Sequence, residues 1–203
     1  MELDELTQTR LTVLGVVLVM VAYWVWGIFK DRRRQARFAA LAQSLGSEVV
    51  SEGEFHTHFP VEIGGRRFQV RLRHLGGGLG SHSGPGWCVI TEVALQGVMD
   101  VHSAEIRARA WRPKVVDPRD PDFGKHFKVN DTGYPLRDGW LNERMRGAIA
   151  HFYALELPLD PLSIEEGRLV HRARLPVQRF NGAILRELLT RQAAVAEALE
   201  HAL

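Results

Sequence analysis

Nineteen consecutive residues without a charge, LTVLGVVLVMVAYWVWGIF over 11–29, constrain this chain more than any other stretch. At a rise of 1.5 Å per residue the run matches a hydrocarbon layer of about 30 Å. Tyr23, Trp24 and Trp26 gather at its C-terminal end, where amphipathic rings favour the membrane–water boundary. A core helix of a soluble protein is rarely so long and so uniformly apolar. A cleaved signal sequence fits poorly, because the leading segment is acidic (Glu2, Asp4 and Glu5 against Arg10) and no small-x-small site follows the run. The expectation is one transmembrane helix over 11–29, preceded by a short extracytoplasmic tail over 1–10.

Charge placement extends that reading. The formal net charge of +2 over 203 residues hides an asymmetry. Lys30, Arg32, Arg33, Arg34 and Arg37 follow the apolar run and meet only Asp31, whereas residues 47–203 carry 20 basic and 20 acidic side chains. A nucleic-acid-binding domain normally bears a basic footprint of its own, so no nucleic-acid partner is expected. Basic residues beside a span favour the cytoplasmic side, which puts the N-terminus outside and the following domain in the cytoplasm. The lipid bilayer is the first expected partner, with Tyr23, Trp24, Trp26, Lys30, Arg32, Arg33, Arg34 and Arg37 at its interface. The single cysteine, Cys88, excludes an intrachain disulfide and agrees with a reducing compartment. Within an apolar strand pattern it reads as a small core residue.

Beyond the span, QARFAALAQSLG places Phe38, Leu41, Ala42 and Leu45 on one stripe and offers Gly46 as a stop. One helix from about residue 8 to 45 is predicted, its part over 30–46 a basic juxtamembrane segment that lies against a soluble domain over 47–203. That domain opens with short extended runs at 47–52 and 55–63. In RFQVRLRH, Phe68, Val70 and Leu72 alternate with Arg67, Gln69, Arg71 and Arg73, the pattern of a half-buried antiparallel strand entered through a Gly64-Gly65 turn. WCVITEVAL (87–95) and EIRARAW (105–111, with Ile106, Ala108 and Ala110 inward) are further strands, and a short one is expected at 126–129. Asp138 is placed to cap a helix over about 139–153, with Trp140, Met145, Ile149 and Phe152 as core contacts. LSIEEGRLVHRARL reads as a hairpin turning at Glu165-Glu166-Gly167. A final helix over about 178–201 carries a stripe of Phe180, Ile184, Leu188, Val195 and Leu199. The class is therefore α+β: a transmembrane helix, then an antiparallel sheet packed against a C-terminal helix.

The motifs that could carry chemistry mostly fail on residue type. HLGGGLGSHSGPGW (74–87) is too irregular for a dinucleotide fingerprint, whose third glycine would fall on Ser81 or Ser83. No lysine stands where a phosphate-binding loop needs one, and GSHSG has His82 where a nucleophilic serine belongs. With strands on both sides it is a long hairpin loop, and 76–86 need bind nothing. His56 and His58 in FHTHF share a face at i, i+2 and would need a third ligand from His74, His82 or His102 to hold a metal. Asp117, Asp120 and Asp122 resemble a cation loop, but Gly124 and Lys125 stand where a ligand and a glycine belong, so a solvated turn is expected. Arg67, Arg71 and Arg73 share one strand face, and Arg107 and Arg109 are expected on a neighbouring strand. Beside Glu92 and Glu105 they form a solvated sheet face; unpaired, they would meet a partner.

DPDFGKHFKV, a short helix, then GRLVHRARL and a long final helix resemble a class of uncharacterised bacterial membrane-anchored proteins over about residues 115–200. The resemblance implies a bacterial inner (cytoplasmic) membrane and brings no catalytic residues. The expected function is that of a single-span membrane protein with a cytoplasmic, non-catalytic domain that contacts a protein partner or a second copy of itself, with no cofactor. The alternative is a membrane-tethered metal-dependent or hydrolytic enzyme that uses His56, His58 and His82.

Overall fold

The computed structural model describes residues 5–51, 57–75, 86–97, 103–109, 117–119, 122–131, 139–155, 161–173, 177 and 180–202. The first element, α1 (Glu5–Ser44), is a single helix of 40 residues. Its most apolar window has a mean hydropathy of 2.2 and is 0% buried. Val13, Leu18, Val19, Trp24 and Phe29 are exposed on every side of it, so this segment packs on none of the described residues. It is, among the described residues, the one helix long and apolar enough to cross a membrane. Its last turns behave differently. Phe38, Leu41 and Ala42 are buried in the same core as the sheet, with the Phe38 ring 5.0 Å from that of Phe59. Gly46 at φ 73° ends the helix, and the Ser47 N–H returns to the Ala42 carbonyl at 3.0 Å.

Eight strands follow in one antiparallel sheet: β1 (Val50–Ser51), β2 (Thr57–Ile63), β3 (Arg66–Leu75), β4 (Gly86–Ala94), β5 (Ser103–Ala108), β6 (Phe127–Asp131), β7 (Leu162–Glu165) and β8 (Arg168–Ala173). Their spatial order is β1-β2-β3-β4-β8-β7-β5-β6. Two short turns set the registers of the hairpins. Gly64 and Gly65, at φ 59° and 72°, join β2 to β3, and Glu166 and Gly167, at 48° and 69°, join β7 to β8. Both supply the two positive φ values that match the twist of paired strands.

A short helix, α2 (Phe123–His126), leads into β6, a feature the sequence pattern does not show. The next helix, α3 (Glu143–Tyr153), begins at 143 and not 139. Asn142 caps it, its side-chain oxygen accepting the Met145 N–H at 2.9 Å, while Asp138 lies outside the described residues. The final helix, α4 (Gly182–Ala202), likewise starts later than 178, capped by Asn181 through the Ile184 N–H at 2.8 Å. In both cases several polar residues precede the apolar stripe, so the sequence pattern alone does not single out the first turn.

Register places Phe59, Val61, Phe68, Val70, Leu72, Val89, Val93, Leu162, Ile164, Leu169 and Ile106 on one face of the sheet, and all are buried. The end of α1, α3 and α4 cover that face. Met145, Ile149 and Phe152 are buried from α3, as expected, with Trp140 partly buried at its rim; Leu188, Val195 and Leu199 are buried from α4, with Ile184 partly so. Three polar contacts fix the layers. Gln192, fully buried on α4, accepts the Thr91 hydroxyl proton at 2.6 Å and donates to the Leu169 carbonyl at 2.9 Å, spanning β4 and β8. The Tyr153 hydroxyl donates to Ile106 O at 2.6 Å and accepts from the Leu162 N–H at 3.1 Å, closing the end of the β5–β7 ladder. Glu200, near the end of α4, accepts from Arg66 at 2.8 Å and from the Gln96 N–H at 2.6 Å. That arginine and that amide hold the Glu200 carboxyl below its ordinary range.

One core group is unpaired. His171 is fully buried between Thr91 and Leu162, with Phe152 edge-on at 5.3 Å, and neither ring nitrogen has a hydrogen-bond partner among the described residues. Loss of water, and after it the nearby Arg172 charge, lowers its pKa from 6.5 to about 3. Between those values the unfolded chain holds a proton that the folded chain rejects, so stability must fall as pH drops below 6.5. Denaturation of the detergent-solubilised protein should show the slope in this window, at most about 1.4 kcal/mol per pH unit. His171→Leu is expected to flatten it while leaving stability at neutral pH unchanged or higher. An unchanged slope in that variant would show that other groups drive the acid sensitivity.

Candidate functional site: the open face of the sheet

Strand alternation that points one set of side chains at the helices points the other set away from them. On this second face β3 carries Arg67, Gln69, Arg71 and Arg73; β4 carries Cys88, Ile90, Glu92 and Ala94; β8 carries Arg168, Val170 and Arg172. Because β4 lies between β3 and β8, Ile90 pairs with both Arg71 and Arg172. Two arginine-bearing strands therefore flank a central one whose only carboxylate here is Glu92.

Glu92 is the hub. Its side chain is 13% exposed and lies 3.4 Å from Arg71 and 3.2 Å from Arg168. Arg71 also donates to Gln69 Oε1 at 3.2 Å. Arg172 forms a two-pronged pair with Glu165 at 2.7 and 2.6 Å, which lowers the Glu165 pKa and raises that of Arg172. Register sets Ser163 opposite Val170 and Glu165 opposite Arg168, so the Arg172 side chain crosses the Val170 row to reach its partner. Cys88, Ile90 and Val170 form a small buried apolar cluster on this face, separate from the main core. Long arginine stems readily cover such apolar surface while their charged heads stay wet. Cys88 is thus buried, as its strand context predicts, but in the lesser of the two clusters.

Arg67 and Arg73 remain exposed without a carboxylate partner among the described residues. Two hollows open beside them. One, of about 410 Å³, includes Val50, His58, Pro60, Arg67, Glu92 and Arg168 in its wall. The other, of about 270 Å³, is bounded by His58, Gln69, Arg71, Arg73, Glu92 and Arg172 among others. The surface can bind anionic groups by charge-assisted hydrogen bonds.

The sequence-predicted residues distribute unevenly over this geometry. Arg67, Arg71 and Arg73 share the face. Arg107 shares it too, but β4, β8 and β7 separate its strand from β3, and it pairs with Glu105 at 3.0 Å. Arg109 donates to the Gly124 carbonyl at 3.0 Å and belongs to the β6 end of the molecule. The neighbouring-strand arginines are instead Arg168 and Arg172. The alternation of Arg168, Val170 and Arg172 could have revealed them, but only the fold shows β8 beside β4. His58 borders both hollows, while His56, His82 and the glycine-rich loop over 76–85 lie outside the described residues. Among the described residues no three His, Cys, Asp or Glu side chains form a metal-type cluster. Asp117 accepts the Arg119 N–H at 2.9 Å and Asp122 pairs with Lys125 at 2.6 Å, the contacts of a local turn; Asp120 lies outside the described residues.

At the C-terminal end of the apolar run of α1, Tyr23, Trp24 and Trp26 are 81%, 68% and 68% exposed. Arg34 pairs with Asp31 at 2.8 Å, whereas Lys30, Arg32, Arg33 and Arg37 are exposed.

Comparison with known proteins finds no matching family model, no matching curated protein and no matching solved structure.

The two classes of arginine should separate by mutation. Arg67→Ala and Arg73→Ala, which remove no described ion pair, should change unfolding free energy by less than about 0.5 kcal/mol. Glu92→Ala should cost about 1 kcal/mol or more, because it strips two arginines of their shared carboxylate. Chemical denaturation of the three variants in detergent checks this; a loss of stability in Arg73→Ala equal to that in Glu92→Ala would make the whole face structural.

Proposed function

We propose that this chain is a single-span protein of a bacterial inner membrane, with the N-terminus outside and a cytoplasmic, non-catalytic domain that acts as an interaction module. The observation that carries the reading is the division of α1. Its apolar run is bare on all sides, yet the same helix ends with Phe38, Leu41 and Ala42 inside the domain core. Water would strip such a surface into aggregates, and only lipid satisfies it. Phe29 and Phe38 are nine residues apart, about 14 Å along a helix, so the domain would be held close to the bilayer. The junction is tight: a Cβ on Gly182, at the start of α4, would collide with Ser44 at the end of α1. Anchor and domain thus form one continuous object.

The basic run after the span supports the orientation through the cytoplasmic preference of Lys and Arg. The resemblance over 115–200 supports the bacterial membrane. A reporter fused after Leu203 tests both the anchoring and the side. A fluorescent protein that matures only in the cytoplasm should be bright and remain in the membrane fraction after carbonate extraction. A fusion active only in the periplasm would overturn the orientation, and extraction into the supernatant would overturn the anchor.

The partner surface in this reading is the open sheet face, and the partner is a protein presenting an acidic segment. Arg67, which faces Glu62 across the β2–β3 ladder, and Arg73 supply exposed cations outside the described ion pairs, beside hollows large enough for side chains. A photo-crosslinker at position 73 should give, in native membranes, a discrete adduct mapped to a carboxylate-rich stretch of one protein. The same group at Arg107, distant on the sheet and paired with Glu105, should not. An adduct to a second copy of this chain would replace the hetero-partner by self-association, and equal labelling from both positions would refute a defined surface.

A further inference from the structure

The cations that follow the span differ in direction, and that difference has a chemical meaning. Trp26, Lys30, Arg33 and Arg37 are spaced i, i+4, i+7 and i+11, which on a continuous helix puts them on one stripe. Together with Phe29 they line a single hollow along α1. Arg34 precedes the buried Phe38 and Leu41 by one and two turns, is partly buried, and is neutralised by Asp31. Arg32 lies off the stripe. Lys30, Arg33 and Arg37 are exposed and make no ion pair with any described residue.

Helical rise sets their depth. Lys30 lies about 1.5 Å beyond Phe29, Arg33 about 6 Å and Arg37 about 12 Å. The polar layer of one leaflet is roughly 5–8 Å thick. Lys30 and Arg33 therefore fall at the level of lipid phosphates, and Arg37 can extend its stem back toward them. Trp26, one turn before Lys30, holds an indole at the boundary beneath. An orientation signal needs only the number of cations on one side of the span. It does not call for three of them in line with an aromatic floor while a fourth is neutralised toward the domain.

We propose that Trp26, Lys30, Arg33 and Arg37 form a binding stripe for the phosphate headgroup of an anionic membrane lipid. The guanidinium of Arg33 and the ammonium of Lys30 would grip the phosphate oxygens, and Arg37 would add charge from the solvent side. Such a contact would fix the rotation of α1 about its own axis and hence the direction in which the rigidly joined domain faces. This rests on α1 being the membrane anchor.

The test uses the full chain reconstituted into phosphatidylcholine vesicles that contain a minor fraction of phosphatidylglycerol. Bromine is carried on the acyl chains of one lipid or the other. Brominated lipid quenches nearby tryptophan, so the ratio of quenching per mole of each lipid reports local enrichment at Trp24 and Trp26. The expected enrichment of the anionic lipid is about fivefold or more, the worth of roughly one surface cation. It should fall to near parity in the K30Q/R33Q/R37Q protein and persist in Arg32→Gln and Arg34→Gln. Inorganic phosphate at matched ionic strength should not displace it. Parity in the unmodified chain overturns the inference, as does enrichment that survives the triple change or declines equally in Arg32→Gln, which would mean net charge alone. Displacement by inorganic phosphate would assign the stripe to a soluble anion instead. Flotation of the vesicles separates these results from failure of the anchor: a chain that does not float with lipid refutes the membrane reading itself.

Discussion

An eight-stranded antiparallel sheet with one apolar face must be covered on that face, and this requirement organises the molecule. Phe59, Val70 and Leu169 lie in one buried core with residues of α1, α3 and α4. A helix whose earlier turns are apolar and bare thus ends as a core element, with Phe38 against Phe59. At about 25 cal/mol per Å² of buried apolar surface, a phenylalanine at that position stabilises the domain by a few kcal/mol. The same contact ties the domain to the apolar helix, so one contact both stabilises the core and joins the two.

The second face follows from the first by strand geometry. With α1, α3 and α4 packed on one face, the residues of opposite parity on β3, β4 and β8 face away from them. Their chemistry is a lattice of arginines around Glu92 and Glu165. Most of that lattice is internally balanced. Arg67 and Arg73 are the members left over at its β3 side, exposed and outside the described ion pairs.

The core has its own economy of polar groups. Gln192, Tyr153 and Glu200 each join two or more elements and have satisfied hydrogen bonds. His171 has none among the described residues and stays neutral at the cost of an unmet donor and acceptor. It occupies the same sheet row as Thr91, whose hydroxyl is already engaged by Gln192. The hydroxyl set opposite it in the register is therefore already committed elsewhere.

Local periodicity was enough to read the long helix, the half-buried strands, both tight turns and the stripe of α4, because each depends on residues a few positions apart. Gly64-Gly65 and Glu166-Gly167 needed only the positive φ that their turns demand. Helix starts were less legible: Asn142 and Asn181 cap the two helices, and several polar residues before each apolar stripe offer the same local signal. The site was half legible. Arg67, Arg71 and Arg73 show their common face in sequence, since alternation along one strand is local. That Arg168 and Arg172, about a hundred residues later, complete the face while Arg107 and Arg109 do not was decided by strand order, which inserts β8 beside β4 and removes β5 to the far side. Strand order is set by how the whole sheet closes its apolar face under three helices, a long-range balance of burial that no short stretch of this sequence contains.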